Sequence, residues 1–272
     1  MLMSRSSTGM QLDSVVMSSD GSVYWAEVDS VTWCSFAADD ATMGSDTTAS
    51  TSIVAEDLRD DSPLVRTSHG LATIDAHGLT TPYWTSDASL VAGRYIEGGA
   101  VALTEAGDIR FFDGAAETRV VHAGDCASID VDHDAGAAWA ACGRNVIRVT
   151  VDDTVAVPAD DAELVSWSDS AATAVFVESD RTSLTAISET GDVLWTATAE
   201  EPIVEITAVA GTPYFAALVE TDEGNGVALL SADDGSQVDL LGVDGLHVRG
   251  AADASRIVVY GGWSSQVLDV IE

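Results

Sequence analysis

The side chains of this chain that could do chemistry are few and far apart. Asp130, Asp132 and Asp134 alternate and are followed by Gly136, a pattern that invites comparison with a calcium loop. A loop of the EF-hand type requires Gly at its sixth position and a bidentate acid at its twelfth. Here Gly136 is seventh and Ala141 is twelfth, so the segment reads as the end of a strand and a hairpin turn carrying solvated acids. His122, Cys126 and His133 supply metal-binding atoms, but their spacing matches no standard zinc arrangement, and zinc needs three or four convergent ligands. His69 and His77 flank an apolar run eight residues apart and read as turn and surface residues. No Ser stands in a nucleophile-elbow context, and no Gly-rich loop leads into a helix to cradle phosphate. The sequence therefore assigns no catalytic residue, no cofactor-binding residue, no metal ligand and no cofactor.

The elements around these residues are set by an unusual solvent-facing composition. The 272 residues contain 45 Asp and Glu against 11 basic residues, giving a formal charge of −34, and all 11 basic residues are Arg. The acids are spread along the whole chain, unlike a disordered acidic tail. The Arg residues are scattered, which argues against a nucleic-acid partner, since such a partner requires a basic patch. Self-repulsion at this charge opposes a compact state. A Debye length of about 10 Å at 0.1 M salt contracts to about 3 Å at 1 M, so the composition points to a multimolar-salt medium with solvent ions at the acidic surface. Cys34, Cys126 and Cys142 are odd in number and widely spaced; they read as small buried hydrophobes rather than a disulfide framework. The N-terminus lacks the apolar run of a signal peptide. No stretch approaches the roughly 18 apolar residues that span a bilayer, so neither membrane insertion nor export by the general route is expected.

Residues 174–197, AVFVESDRTSLTAISETGDVLWTA, show how the rest is built. Apolar and β-branched residues alternate in three short runs, separated by turn clusters around Asp180 and around Gly191, the signature of half-buried antiparallel strands. Similar strands begin at Val23, Gly70, Ala100, Ala137, Ala174, Tyr214 and Arg256, with gaps of 47, 30, 37, 37, 40 and 42 residues. A repeat near 40 residues fits four-stranded propeller blades. The expectation is all-β: a single β-propeller domain over 1–272, of about seven four-stranded antiparallel blades, with six or eight also compatible. Residues 37–63, rich in Asp, Ser, Thr and Ala, account for the widest gap and are expected to form a long polar loop or insertion. The last repeat ends at the C-terminus without an outer strand. Pairing of N- and C-terminal strands, with Met10 to Val16 as donor, would close the ring and remove an open edge. Trp25, Trp33, Trp84, Trp139, Trp167, Trp195 and Trp263 fall about one per repeat, as core residues between blades would.

The run AISETGDVLW, residues 186–195, resembles the Ala–Thr-Gly–Trp pattern of pyrroloquinoline-quinone-type propeller repeats. In that pattern the Gly permits a tight turn and the Trp docks between neighbouring blades, roles that fall here on Gly191 and Trp195. Over the whole chain the resemblance is to quinoprotein-like and WD-type propellers, with a composition similar to proteins of haloarchaea. It implies a scaffold more than a catalyst, because the ligands of the quinone enzymes have no counterparts here. The expected function is a non-catalytic protein–protein interaction scaffold or adaptor, not an enzyme, whose partners are other proteins of a larger assembly. A structural virion component (spike, turret or tail attachment protein) of a haloarchaeal virus is the alternative, and a hydrolase or lyase centred on the channel comes third. The expected location is a high-salt cytoplasm or a virion.

Overall fold

In a computed structural model the described residues are 1–8, 12, 14–18, 21, 23–29, 32–40, 43–48, 53–59, 62–67, 70–74, 80–85, 88–133, 135–251, 254–261 and 265–271. His69, His77, Asp134, Trp263 and the side chains of Trp25 and Trp33 lie outside them. The described regular structure is all strand.

The strands form antiparallel sheets, and the strand named first in each lies toward the central axis. The first sheet is β2 (Ser14–Met17), β3 (Val23–Asp29), β4 (Thr32–Ala37) and β5 (Met43–Thr48). The second is β6 (Ile53–Arg59), β7 (Ser62–Thr67), β8 (Gly70–Ile74) and β9 (Thr80–Thr85). The third is β10 (Leu90–Ile96), β11 (Gly99–Thr104), β12 (Asp108–Asp113) and β13 (Ala116–His122). A six-stranded sheet follows: β14 (Ser128–Asp132), β15 (Ala137–Val149), β16 (Thr154–Ser168), β17 (Thr173–Glu178), β18 (Ser183–Ser188) and β19 (Val193–Thr198). Then come β20 (Ile203–Val209), β21 (Tyr214–Thr221), β22 (Gly224–Ser231) and β23 (Gln237–Gly242). The last sheet runs β24 (His247–Gly250), β25 (Arg256–Tyr260), β26 (Ser265–Val270) and finally β1 (Leu2–Thr8).

The propeller expectation holds at the level of architecture, and three of its details change. First, five four-stranded sheets stand by themselves, rather than about seven, and the remainder is one six-stranded sheet. That sheet arises because β15 and β16 each run through a change of direction: Gly143 turns at φ 56° and brings Arg148 over the Trp139 ring at 5.9 Å, and β16 pairs with β15 through its first part and with β17 through its second. Second, residues 37–63 are not a long loop: they carry β5, β6 and the start of β7. The strand equivalent to Val23 in the second sheet is β7, which starts 39 residues after β3 and 37 before β11. Pro63 and Arg66 disguised it, and Gly70 opens the third strand of its sheet instead. Third, the ring is closed by the N-terminus as expected, but the donor is Leu2–Thr8, paired with β26 from Leu2↔Val270 to Thr8↔Ser265. Ser14–Met17, inside the expected donor, forms the innermost strand of the first sheet.

The closure is fastened by charge. Arg5 on β1 bridges Asp39 and Asp269, and Arg256 bridges the same two acids while donating to the Gly21 carbonyl. Other Arg side chains tie neighbouring sheets in the same way. Arg66 donates to the Leu90 and Val91 carbonyls and Arg119 to the Thr150 and Asp153 carbonyls, while Arg148 donates to Glu189 at 2.6 Å within the six-stranded sheet. Between the sheets lie apolar layers. One combines Val175, Leu184 and Ala186 with Phe215, Ala217 and Leu230; within the six-stranded sheet, Trp139 of β15 stacks on Trp167 of β16 at 5.3 Å. Burial of alternate aliphatic residues, at about 25 cal/mol per Å² of apolar surface, holds each sheet against the next.

The cysteines also depart from expectation. Cys126 and Cys142 form a disulfide beside β14 and β15, whereas Cys34 lies outside it and is buried as expected. Sequence separation alone concealed the pair, because the hairpin brings residues 16 apart into register.

Candidate functional site: the wall of the central channel

Innermost strands alternate side chains between the interblade layers and the axis. The axial set encloses a cavity of about 1110 Å³, to which β2, β6, β10, β14, β16, β20 and β24 all contribute. Its ionisable lining includes Asp57, Arg94, Asp130, His133, Glu205 and Arg249.

Most of these acids are committed to holding strands together. The Asp57 carboxylate accepts from the Tyr95 N–H at 2.7 Å. Ser128 Oγ accepts from the Val165 N–H at 3.0 Å, and Asp130 Oδ2 from the Trp167 N–H at 2.9 Å and the Ser166 hydroxyl at 3.0 Å. Ser166 Oγ in turn accepts from the Ala208 N–H at 2.9 Å, and Glu205 Oε2 from the Val248 N–H at 2.8 Å. Each bond runs from one innermost strand to the next, and the partners are 36 to 43 residues apart, the length of the repeat. The pattern is a circumferential brace, in which an inner-strand oxygen satisfies a backbone donor that the neighbouring strand turns toward it.

Glu205 has a second partner. Its Oε1 lies 2.6 Å from His247 Nδ1, and the His247 ring sits 5.1 Å from that of buried Tyr260. Burial by itself pushes the Glu205 pKa up, but the His247 hydrogen bond, the Arg249 charge and the Val248 N–H together outweigh it and leave the carboxyl below its usual range. Tyr260 moves the other way, its phenol raised chiefly by burial even with Arg249 nearby. In the wall, Glu205 is thus a carboxylate held below its usual range by the neighbours it braces.

The residues singled out from the sequence do not converge. His122 is exposed at the perimeter, 3.0 Å from Asp108, whose pKa is lowered first by that bond and then by Arg110. Cys126 is held in the disulfide, and His133 lies on the turn at the channel mouth. Among the described residues no three His, Cys, Asp or Glu side chains gather as a metal site. Asp132 is buried and caps its turn through the Ala135 N–H at 2.8 Å, and Asp130 is the brace described above, so neither is a solvated turn acid. Sequence reasoning missed Asp57, Arg94, Glu205, His247 and Arg249. For Asp57 and Glu205 the available signal is an oxygen-bearing residue recurring on innermost strands, as Asp57, Asp130, Ser166 and Glu205 do; Arg94, His247 and Arg249 carry no such signal.

The Gly–Trp pattern behaves as its resemblance implies. Gly191 turns at φ 86° against Val155 and Val157 of the preceding outer strand. Trp195 reaches the next sheet, where its Nε1 donates to the Ala232 carbonyl at 2.6 Å and its ring covers Gly235.

The fold defines a class, the β-propeller. No family model matches the chain, and no curated protein does. Among solved structures it is similar to one described as the structure of U3-55K, with a TM-score of 0.79, 9% identity, and 99% of this chain and 98% of that one covered. It is equally similar to the crystal structure of RRP9 WD40 repeats, with a TM-score of 0.79, 9% identity, and coverage of 99% and 97%. The chain thus has the β-propeller fold of WD40-repeat structures, and at this identity the likeness extends to the fold alone.

Proposed function

We propose that the chain is a non-catalytic protein–protein interaction scaffold built on a single β-propeller domain and adapted to high salt. The observation that carries this reading is the commitment of the channel acids. Asp57, Asp130 and Glu205 hold adjacent innermost strands through backbone N–H bonds, and a carboxylate needed in its ionised form for that task is poorly suited to general acid or base work. Binding capacity then resides on the rims and perimeter, as loops and edges on a rigid scaffold generally provide it.

We further infer that the six-stranded sheet acts as two blades, making seven in all. Support comes from the seven innermost strands around the cavity, from Gly143 at φ 56° inside β15 and from Asp161 at φ 68° inside β16, which mark where each long strand changes role. The charge of −34 without Lys supports a high-salt medium. The Cys126–Cys142 disulfide supports an oxidising surrounding, which favours a second reading, a virion component, over a reducing cytosol.

The test is purification of the tagged protein from an extract of its own organism in about 2–3 M KCl, where surface charge is screened. A stoichiometric protein partner is the expected result, and virion proteins among the partners would favour the second reading. A hydrolytic or lyase activity that Glu205→Gln abolishes in a still-folded protein would overturn the scaffold reading.

A further inference from the structure

Outer strands of a propeller have one unpaired edge, and proteins normally guard such edges with charge or proline. Six outer strands end sheets among the described residues: β1, β5, β9, β13, β19 and β23. β1 carries Arg5, β5 Asp46, β13 Glu117 and Arg119, β23 Asp239, and β9 Pro82. β19, with the sequence VLWTAT, carries no charge and no proline, in a chain where 21% of residues are charged.

β19 is built to receive a strand. The Ala199 N–H donates to the Thr182 carbonyl, so by antiparallel alternation Ala197 and Trp195 direct their peptide groups to β18. Thr196 and Thr198 therefore turn their N–H and C=O groups outward, while a bulge at Leu194 interrupts the alternation. The side chains along this edge are the kind strands favour: Val193 is 59% and Leu194 51% exposed, and Thr196 and Thr198 are exposed and β-branched. The strand is also held still, since Trp195 on its other face is pinned to Ala232, which reduces the ordering cost of docking.

We propose that the outer edge of β19 is a docking site for an extended, basic-flanked segment of another protein, which joins the sheet as an added antiparallel strand. This rests on the scaffold reading in taking a protein as its ligand. Charge identifies the partner. The neutral strand is bracketed by Asp192 at one end and by Glu200 and Glu201 at the other, so a partner with Arg or Lys at both ends of an apolar, β-branched core is complementary. A second copy of β19 is not: antiparallel self-pairing would set Asp192 of each chain near Glu200 of the other.

The probe is a nine-residue peptide of alternating Val and Thr with Arg at each end, titrated at the lowest salt that preserves the far-UV spectrum. The decisive variant is Thr196→Pro, which deletes an outward N–H while leaving the bonds to β18 in place. Leu194→Arg is a second variant that keeps the backbone and opposes a basic peptide. The expected result is binding to the unmodified protein, weakened at least about tenfold by either variant and weakened again when the peptide ends are changed to Glu. Equal binding to Thr196→Pro, or no binding at about 1 mM peptide, would overturn the proposal. So would concentration-dependent dimerisation abolished by Thr196→Pro, which would make the occupant a second copy. The parent reading is separated by capture from extract. If the unmodified protein and Thr196→Pro retain the same stoichiometric partner, the β19 proposal fails and the scaffold stands. If neither retains any protein, the scaffold reading itself fails.

Discussion

Gly235→Ala tests the contact between the six-stranded sheet and the one that follows it. Gly235 has φ 72°, and a Cβ there would lie 2.5 Å from Trp195 Cζ3, 2.8 Å from Ala197 Cβ and 2.9 Å from Trp195 Cη2. Two costs should add. Forcing an L-residue into the left-handed region costs about 1–2 kcal/mol, and overpacking against a fixed ring costs about 1–3 kcal/mol. The sum, roughly 2–5 kcal/mol, corresponds to a fall in Tm of several degrees or more for a chain of this size. The two costs separate in a Trp195→Phe background, because Phe lacks the outer ring atoms that the new methyl would meet. Trp195→Phe has its own cost of about 1–2 kcal/mol for stranding the Ala232 carbonyl. In that background Gly235→Ala should cost only the backbone part and whatever Ala197 contributes, leaving a coupling of about 1–2 kcal/mol. The assay is urea denaturation of the four proteins of the cycle at one fixed salt concentration, compared at equal m-value. A coupling below about 0.5 kcal/mol would refute the steric account of this glycine.

Reduction of Cys126–Cys142, or Cys126→Ser with Cys142→Ser, should lower stability by about 3 kcal/mol, as loop-closure entropy predicts for this separation; an unchanged melting point in reductant would contradict it. Burial tends to raise the Asp269 pKa, but bonds to Arg5 and Arg256 overcome this and leave it lowered. Its stabilising contribution is therefore complete above the ordinary carboxylate range and lost as pH falls through the lower folded value. Asp269→Asn should cost about 2 kcal/mol at pH 7 and almost nothing near the acid limit, which paired melts across pH would check. Deleting residues 1–8 should expose the β26 edge and lower thermal stability far more than loss of a tail, and an unaltered melt would disprove closure by β1. Dialysis into 0.1 M NaCl should cost folded structure if the acidic surface requires salt; an unchanged far-UV spectrum would contradict the high-salt reading.

Much of the fold could be read directly from the chain. Alternation of apolar and polar residues determined that the structure is all strand, because strand pleating puts successive side chains on opposite faces. The roughly 40-residue recurrence led to a propeller, and the seven strands picked out by apolar pattern all exist. The pattern failed over residues 37–67, where polar sequence obscures β5 and β6 and where Pro63 and Arg66 flank the buried Leu64 and Val65 of β7. Closure could be anticipated from the missing last strand, but the choice of Leu2–Thr8 over Met10–Val16 rests on register and on the Arg5–Asp269 and Arg256–Asp269 bridges.

Tertiary structure alone decided which polar residues matter. A local window shows Asp57, Asp130, Ser166 and Glu205 as ordinary strand residues, because each partner lies a full repeat away and meets it only when the sheets are arranged around an axis. The disulfide was hidden for a related reason: hairpin register, rather than spacing, brings Cys126 to Cys142. Composition set the charge, and the order of apolar and polar residues set the repeat, because both are properties of the chain along its own length. Convergence of side chains on the channel, and the one outer edge left without charge or proline among the described residues, depend on which strands end up beside which, and that is settled only by packing.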